Sequence, residues 1–427
     1  MKSYLRLDAM LSARSIAVFR LLFFLFPLFF LTIKGATNTA GILILAFCLI
    51  KFIAEPQLYL LRRHRAIYLI SLLLMMPFLC ELATQFLRGE VVWSYVDGPA
   101  RSLIGVAIFL YITASRDLSC IVYFSLGAAF SIIILLLSVI FFPYDWVGKT
   151  ATYFVDPLSL GVYTLVLLSI SYLVFELKLL PKWIFLFLVA GVVFIVLGTE
   201  SRTAWFSGTL LLALFARKLY SGSSLRASVL LLPLVLVLSY SCVPTISKRV
   251  DTTSESFQRL LSGDLNTSFG VRYGLFLFDY DLLTMRPLLG WADGNLPDYD
   301  IASKRIPELT PRIYETKRLA GSHSEFSAQL VRKGLLFGGL TLLAIFALPP
   351  VILRRLSKKT TFERSCAYTF HLTLCVFIIS SIFIQTLNLK MCSTFFSVFL
   401  GCFMSILPIP PLAVVDSGVG NATRYKE

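Results

Sequence analysis

The sequence predicts an all-α polytopic membrane protein with about 12 transmembrane helices and one large, partly helical external loop. Three observations carry that expectation. Hydrophobic residues make up 57% of the 427 positions, and the mean hydropathy is +0.80. Apolar runs of about 20 residues, the length that crosses a hydrocarbon layer, recur along the chain. Only one long stretch, residues 244–333, is polar enough to stay outside such a layer.

Taken in order, the spans are expected near Ser15–Thr32, Thr37–Ala54, Ala66–Ala83, Pro99–Ser115, Leu118–Phe142 and Pro157–Phe175. They continue near Trp183–Leu197, Thr203–Phe215, Ser228–Cys242, Gly334–Leu353, Cys366–Thr386 and Met391–Leu407. Arg20 interrupts the first run and the run continues past it, which reads as an uncleaved span rather than a signal peptide. This organisation gives a bundle of spans 1–9 over residues 1–243 and an external loop over 244–333. Spans 10–12 follow over 334–411, and a short tail over 412–427.

With the N-terminus inside, the inner segments hold twenty lysines and arginines, and the short outer loops hold six: Lys34, Arg88, Arg101, Lys149, Arg202 and Lys390. The excess of cations on one side fixes the orientation and explains the net charge of +15, so no nucleic-acid partner is implied. The eight cysteines fall in or beside apolar runs without a C-x-x-C pair, so neither a disulfide framework nor a metal site is indicated. No cofactor is expected. Arg20 and His371 are the clear ionisable residues within spans, each facing the bundle interior or reaching for an interface.

A loop of that length needs structure of its own. Phe269, Tyr273, Phe276, Tyr280 and Leu283 recur at steps of four and three, the pattern of one helix face, and Arg272 borders that stripe. Such a helix either lies on the membrane surface, its arginine at lipid head groups, or simply packs against the protein. Leu288-Leu289-Gly290 and Asp293-Gly294 mark turns. The loop ends in G-S-H-S-E-F at Gly321 to Phe326, where Ser322 and Glu325 have the spacing of a capping box. His323 would then sit in the first helical turn, held neutral by the helix dipole and able to accept a proton. The plain alternative is a polar residue at a helix boundary.

Two outer span ends carry arginines: Arg101 in D-G-P-A-R at residues 97–101, and Arg202 in E-S-R-T at residues 200–203. Arginine presents a planar fork that matches phosphate oxygens, so Arg101, Arg202 and Arg272 together would suit a pyrophosphate. Taken singly, Arg101 and Arg202 are interfacial anchors or partners for Asp97 and Glu200, and Arg272 is a solvated arginine on a packing helix.

The H-S-x9-G pattern at His323, Ser324 and Gly334 resembles the signature of the O-antigen ligase family. The stretches L-G-T-E-S-R-T-A-W at Leu197–Trp205, S-F-G-V-R at Ser268–Arg272 and R-P-L-L-G-W at Arg286–Trp291 are similar to further segments of that family. Phe337 departs from the signature, although Gly338 follows it. The resemblance implies transfer of O-antigen polysaccharide from undecaprenyl pyrophosphate onto lipid A–core, at the periplasmic face of a Gram-negative inner membrane. It implies His323 as the base, Arg202 and Arg272 on the pyrophosphate with Arg101 as a lesser addition, and no metal. Partners would then be the lipid-linked glycan, lipid A–core and membrane lipids. An O-antigen polymerase uses the same donor, and an oligosaccharyltransferase acting on protein is a further variant. A transporter or flippase, from another class, would show an inverted repeat, and none is found.

Overall fold

The computed structural model describes residues 2–54, 65–89, 91–219, 244–292, 296–356 and 360–407. It is an all-α polytopic membrane protein, with one short antiparallel ribbon that the sequence did not predict, pairing β1 (Tyr144–Asp145) with β2 (Thr150–Ala151). The first helices are α1 (Lys2–Leu28), α2 (Ala36–Ala54), α3 (Arg65–Arg88), α4 (Trp93–Ala100), α5 (Ser102–Ser115) and α6 (Ser119–Phe141). After the ribbon come α7 (Pro157–Glu176), α8 (Lys182–Gly198) and α9 (Arg202–Leu219). Each expected span corresponds to helix except the ninth, Ser228–Cys242, which lies outside the described residues, as does the tail. Among the described residues seven helical segments are long and apolar enough to cross a membrane: 36–54, 65–88, 93–115, 119–141, 157–176, 325–355 and 361–383.

The polar connection folds into α10 (Pro244–Leu261), α11 (Ser268–Met285), α12 (Tyr299–Arg305) and α13 (Pro311–Ala320), and α14 (Glu325–Leu342) leads back into the bundle. A turn of π-helix over Leu343–Ala347 joins α14 to α15 (Leu348–Leu356), and α16 (Thr361–Phe383) and α17 (Lys390–Met404) follow.

α7 is the axis of one half of the bundle. It packs on α6, α8, α9 and α16, and its residues from Leu160 to Val174 are all buried. α5 has the same role in the other half, between α2, α3 and α17. The α5–α17 crossing is close because it is made of glycines: a Cβ on Gly401 would stand 2.2 Å from the Gly105 carbonyl oxygen. Small residues are how helices approach where lipid removes the hydrophobic drive to associate.

The polar connection has its own core of Val271, Leu275, Phe278, Leu282, Ile306 and Ile313, joined to α14 through Val331 and Trp291. Its link to the bundle is a break in α14. Gly334 has φ 74° and ψ 175°, non-helical angles open in practice to glycine alone, so the helix cannot bond across it. In an unbroken helix the Val331 carbonyl would accept from the Leu335 amide. Instead the Val331 carbonyl accepts from the Trp291 amide at 2.8 Å, and Leu335 donates to the Pro287 carbonyl at 2.6 Å. The Arg332 carbonyl accepts from the Ala292 amide at 3.2 Å and from the Arg88 guanidinium at 2.8 Å. These three freed groups therefore take their partners from the 287–292 segment and from α3. The break separates a helical stretch over residues 325–333, which the sequence reading did not predict, from the expected tenth span, which begins at Gly334 as read.

Arg20 reaches for the end of neighbouring helices, in line with one of its two expected placements. Its guanidinium is bound to the Asp117 carboxylate, at the α5–α6 turn, by bonds of 3.0 and 2.9 Å. A fully buried ionisable pair is elsewhere: Lys333 and Glu81, both about 1% exposed, lie 3.3 Å apart between α14 and α3. The pattern of apolar runs hid Glu81 because it closes an otherwise apolar span.

Gly334→Ala tests the break. A Cβ there would stand 2.2 Å from the Leu288 carbonyl oxygen, on a backbone conformation closed to alanine. We expect a loss of about 2–3 kcal/mol, seen as a lower thermal unfolding midpoint in detergent with faster proteolysis of 244–333; an unchanged midpoint would mean the helix can close over this site.

Candidate functional site

α11 lies at the centre of the site. Phe269, Arg272, Phe276 and Asp279 are spaced by three and four and so share one face. Of the five-residue stripe read from the sequence, Tyr273, Phe276 and Tyr280 are exposed, at 47%, 60% and 64%, while Phe269 and Leu283 are half-buried. The helix buries a second apolar face instead, made of Val271, Leu275, Phe278 and Leu282. The packing reading is met, though not through the predicted stripe, and Tyr273, Phe276 and Tyr280 are left uncovered beside Arg272. Thr267 starts the helix by accepting from the Gly270 amide at 3.0 Å.

Arg202 opens α9, and its guanidinium lies 5.2 Å above the Phe269 ring. The small residues around it build the turn. Ser201 accepts from the Ala204 amide at 3.3 Å, and Thr199 donates to the Val196 carbonyl at 2.8 Å. Ala204 and Thr199 pack on Gly161 of α7, where a Cβ would stand 2.7 and 3.0 Å from them. Trp205 closes the turn with a 3.1 Å bond from its indole N–H to the Val196 carbonyl.

His323 lies in the four-residue turn between α13 and α14, before the helix rather than inside its first turn. The expected capping box does not form. The Ser322 hydroxyl accepts from the Lys317 ammonium, and the Glu325 carboxylate turns to the Gln329 amide at 2.7 Å and the Leu387 backbone amide at 3.0 Å. Ser324 stands in the capping position, but its hydroxyl donates to the Ser381 carbonyl at 3.1 Å. The Ser322 carbonyl accepts from Gln385, and the Glu325 amide donates to the Ile384 carbonyl at 3.2 Å. The residues on either side of His323 are thus tied to the segment that joins α16 to α17.

The imidazole is held below the ordinary histidine pKa, chiefly by burial and then by the charges of Arg272 and Lys317. The ring is neutral at physiological pH as expected, but the cause is desolvation and neighbouring cations rather than a helix dipole. Lys317 is itself buried, bound to the Asp279 carboxylate as well as to Ser322. Burial pushes the Asp279 carboxyl above its usual value, opposed by the Lys317 ammonium and the Ser322 hydroxyl.

The structure thus brings His323 and Arg272 together and sets Arg202 on the same face of α11, through Phe269. It places Arg101 in a different network. The Arg101 fork donates to Asn38 and Thr394, each at 2.6 Å, and to Asp97 at 3.2 Å, joining α2, α4 and α17. Lys317 and Asp279 escaped the sequence reading. The available signal was that Asp279 lies seven residues after Arg272, two turns along the same stripe. Among the described residues no three of His, Cys, Asp and Glu converge as metal ligands.

The electrostatics predict that His323 titrates below 6.5, and that Arg272→Ala raises its pKa by removing one nearby cation. NMR titration of histidine-labelled protein in detergent checks both, and an unmoved His323 resonance in the variant would separate the two groups.

No protein-family model matches the chain, and comparison with curated proteins finds no match.

Proposed function

We propose that the chain is an inverting glycosyltransferase, an O-antigen ligase that transfers O-antigen polysaccharide from undecaprenyl pyrophosphate to lipid A–core. The observation that carries this reading is the convergence on α11 of a neutral histidine and two arginines drawn from separate parts of the sequence. In this reading the hydroxyl oxygen of the acceptor sugar attacks the anomeric carbon of the donor, while His323 takes the hydroxyl proton. The bond from that carbon to the pyrophosphate oxygen breaks, and the leaving group departs with its electron pair. Arg202 and Arg272 neutralise that charge, which is the principal need of a leaving group that is already good. One displacement inverts the anomeric centre. The reaction needs one base and draws on no metal, and the arginines supply the positive charge.

The exposed rings of Tyr273, Phe276 and Tyr280 beside Arg272 support a lipid-linked donor, because the same helix edge offers an apolar surface to a prenyl chain and a cation to its phosphates. The site lies at the end of the bundle that the distribution of basic residues assigns to the outside. In this reading that is the periplasmic face of a Gram-negative inner membrane. Arg101 is left to join α2, α4 and α17.

Purified protein, undecaprenyl-pyrophosphate-linked glycan and lipid A–core, incubated together, provide the test. His323→Ala should lower transfer by about 10²–10⁴-fold while the protein stays folded. Near-normal transfer by that variant removes His323 from the mechanism. Elongation of the lipid-linked glycan in place of transfer to lipid A–core assigns the chain to the polymerases.

Arg272→Ala should weaken binding of the lipid-linked donor by at least about tenfold, the scale of a lost charge-assisted contact. Unchanged donor affinity would take the pyrophosphate away from α11.

A further inference from the structure

A cavity of about 180 Å³ lies between α3, the α4–α5 junction, α14 and α17. Its wall includes Glu325, two residues after His323, so it adjoins the turn that carries the histidine without containing it. Its volume corresponds to about six liquid water molecules, more room than isolated structural waters need.

Two of its polar atoms are buried without a partner among the described residues: the Ser102 hydroxyl, on a residue 7% exposed, and the side-chain oxygen of Gln329, on a residue 9% exposed. Buried polar atoms are nearly always hydrogen-bonded, so an unpartnered pair facing one cavity marks where a ligand's polar groups belong. The Gln329 amide is pinned by its 2.7 Å bond to Glu325, which leaves its oxygen as an acceptor. Ser102 both donates and accepts. Tyr95 and Phe396 add aromatic surface to the same wall.

The wall holds three cations, Arg332, Lys333 and Lys390, and the Glu325 carboxylate. Lys333 is matched by Glu81 at 3.3 Å and Lys390 by Asp97 at 2.5 Å, and Arg332 also has interactions of its own. An acceptor oxygen, a hydroxyl and a carboxylate beside aromatic rings suit a neutral, hydroxyl-rich ring with one apolar face.

We propose that this cavity binds a sugar ring of the acceptor glycolipid, and so forms the acceptor side of the site. The proposal rests on the transferase reading for the identity of that glycolipid. The shared chemistry is a hydroxylated pyranose, and its source is either lipid A–core or a second lipid-linked glycan.

The test uses the full chain in nanodiscs. Affinities for lipid A–core and for undecaprenyl-pyrophosphate-linked glycan are measured for wild type, Ser102→Ala and Gln329→Met, together with thermal midpoints. Each variant should bind lipid A–core about tenfold more weakly, with donor affinity unchanged. Ser102→Ala breaks no intramolecular side-chain bond, so it decides the matter if Gln329→Met loses stability. Wild-type binding of lipid A–core that Ser102→Ala leaves intact overturns the cavity as a sugar site while leaving the transferase reading standing. A wild type that binds only the lipid-linked glycan, with that binding weakened by the cavity variants, keeps the cavity and overturns lipid A–core as acceptor. A wild type that binds neither glycolipid overturns both.

Discussion

The break at Gly334 is the constraint on which the arrangement of the site depends. Backbone groups cannot be left unpaired at membrane depth, where no water replaces a lost bond. A helix that stops bonding to itself must therefore be met by another segment, and here the partners come from Pro287–Ala292 and Arg88. Gly290 takes part for the same steric reason: it too has positive φ, and a Cβ there would stand 2.6 Å from the Gly334 amide nitrogen. The two glycines belong to motifs more than forty residues apart in the chain. Their contact fixes the end of α11 against the start of α14, and so sets Arg272 beside the turn that holds His323.

α11 has no face that is simply polar. One side closes the small core of the polar connection, one carries Arg272 and Asp279 toward α13 and the histidine turn, and one leaves three aromatic rings uncovered. In a soluble protein such a surface invites association. In the function proposed above, that surface rests in the apolar phase at a membrane boundary, with the cation at the level of lipid head groups.

The buried ions follow the same economy. Lys317 with Asp279, and Lys333 with Glu81, are charges taken out of water, costly unless paired, and strongly destabilising if one partner is removed. Pairs of this kind are weak sources of stability but define which surfaces can meet. The first joins α13 to α11 beneath His323, and the second joins α14 to α3 beside the cavity. Both lie where the polar connection meets the bundle, the region in which relative position matters most to the site.

Much of the fold was legible in the sequence because a membrane helix is a local object. Length and hydropathy alone located α2, α3, α6, α7 and α16, whose backbone bonds close within each segment. Charge bias along the chain supplied a direction, and the motif residues named His323, Arg202 and Arg272. What the sequence could not contain was set by contacts between distant residues. The spacing of Ser322 and Glu325 promised a capping box, but Lys317, Gln329 and Leu387 compete for the same side chains and hold them elsewhere. Gly334 was legible as the start of a span, but not the further helical stretch over residues 325–333 that precedes it, because the 287–292 segment is what meets the backbone at the break. Arg101 and Arg202 were alike as arginines at span ends. Only packing separated them, giving one to Asn38, Thr394 and Asp97 and setting the other over Phe269. Sequence by itself determined which segments are helices, since that follows from each segment's own length and polarity. Tertiary structure decided which charges meet, since that depends on partners hundreds of residues away.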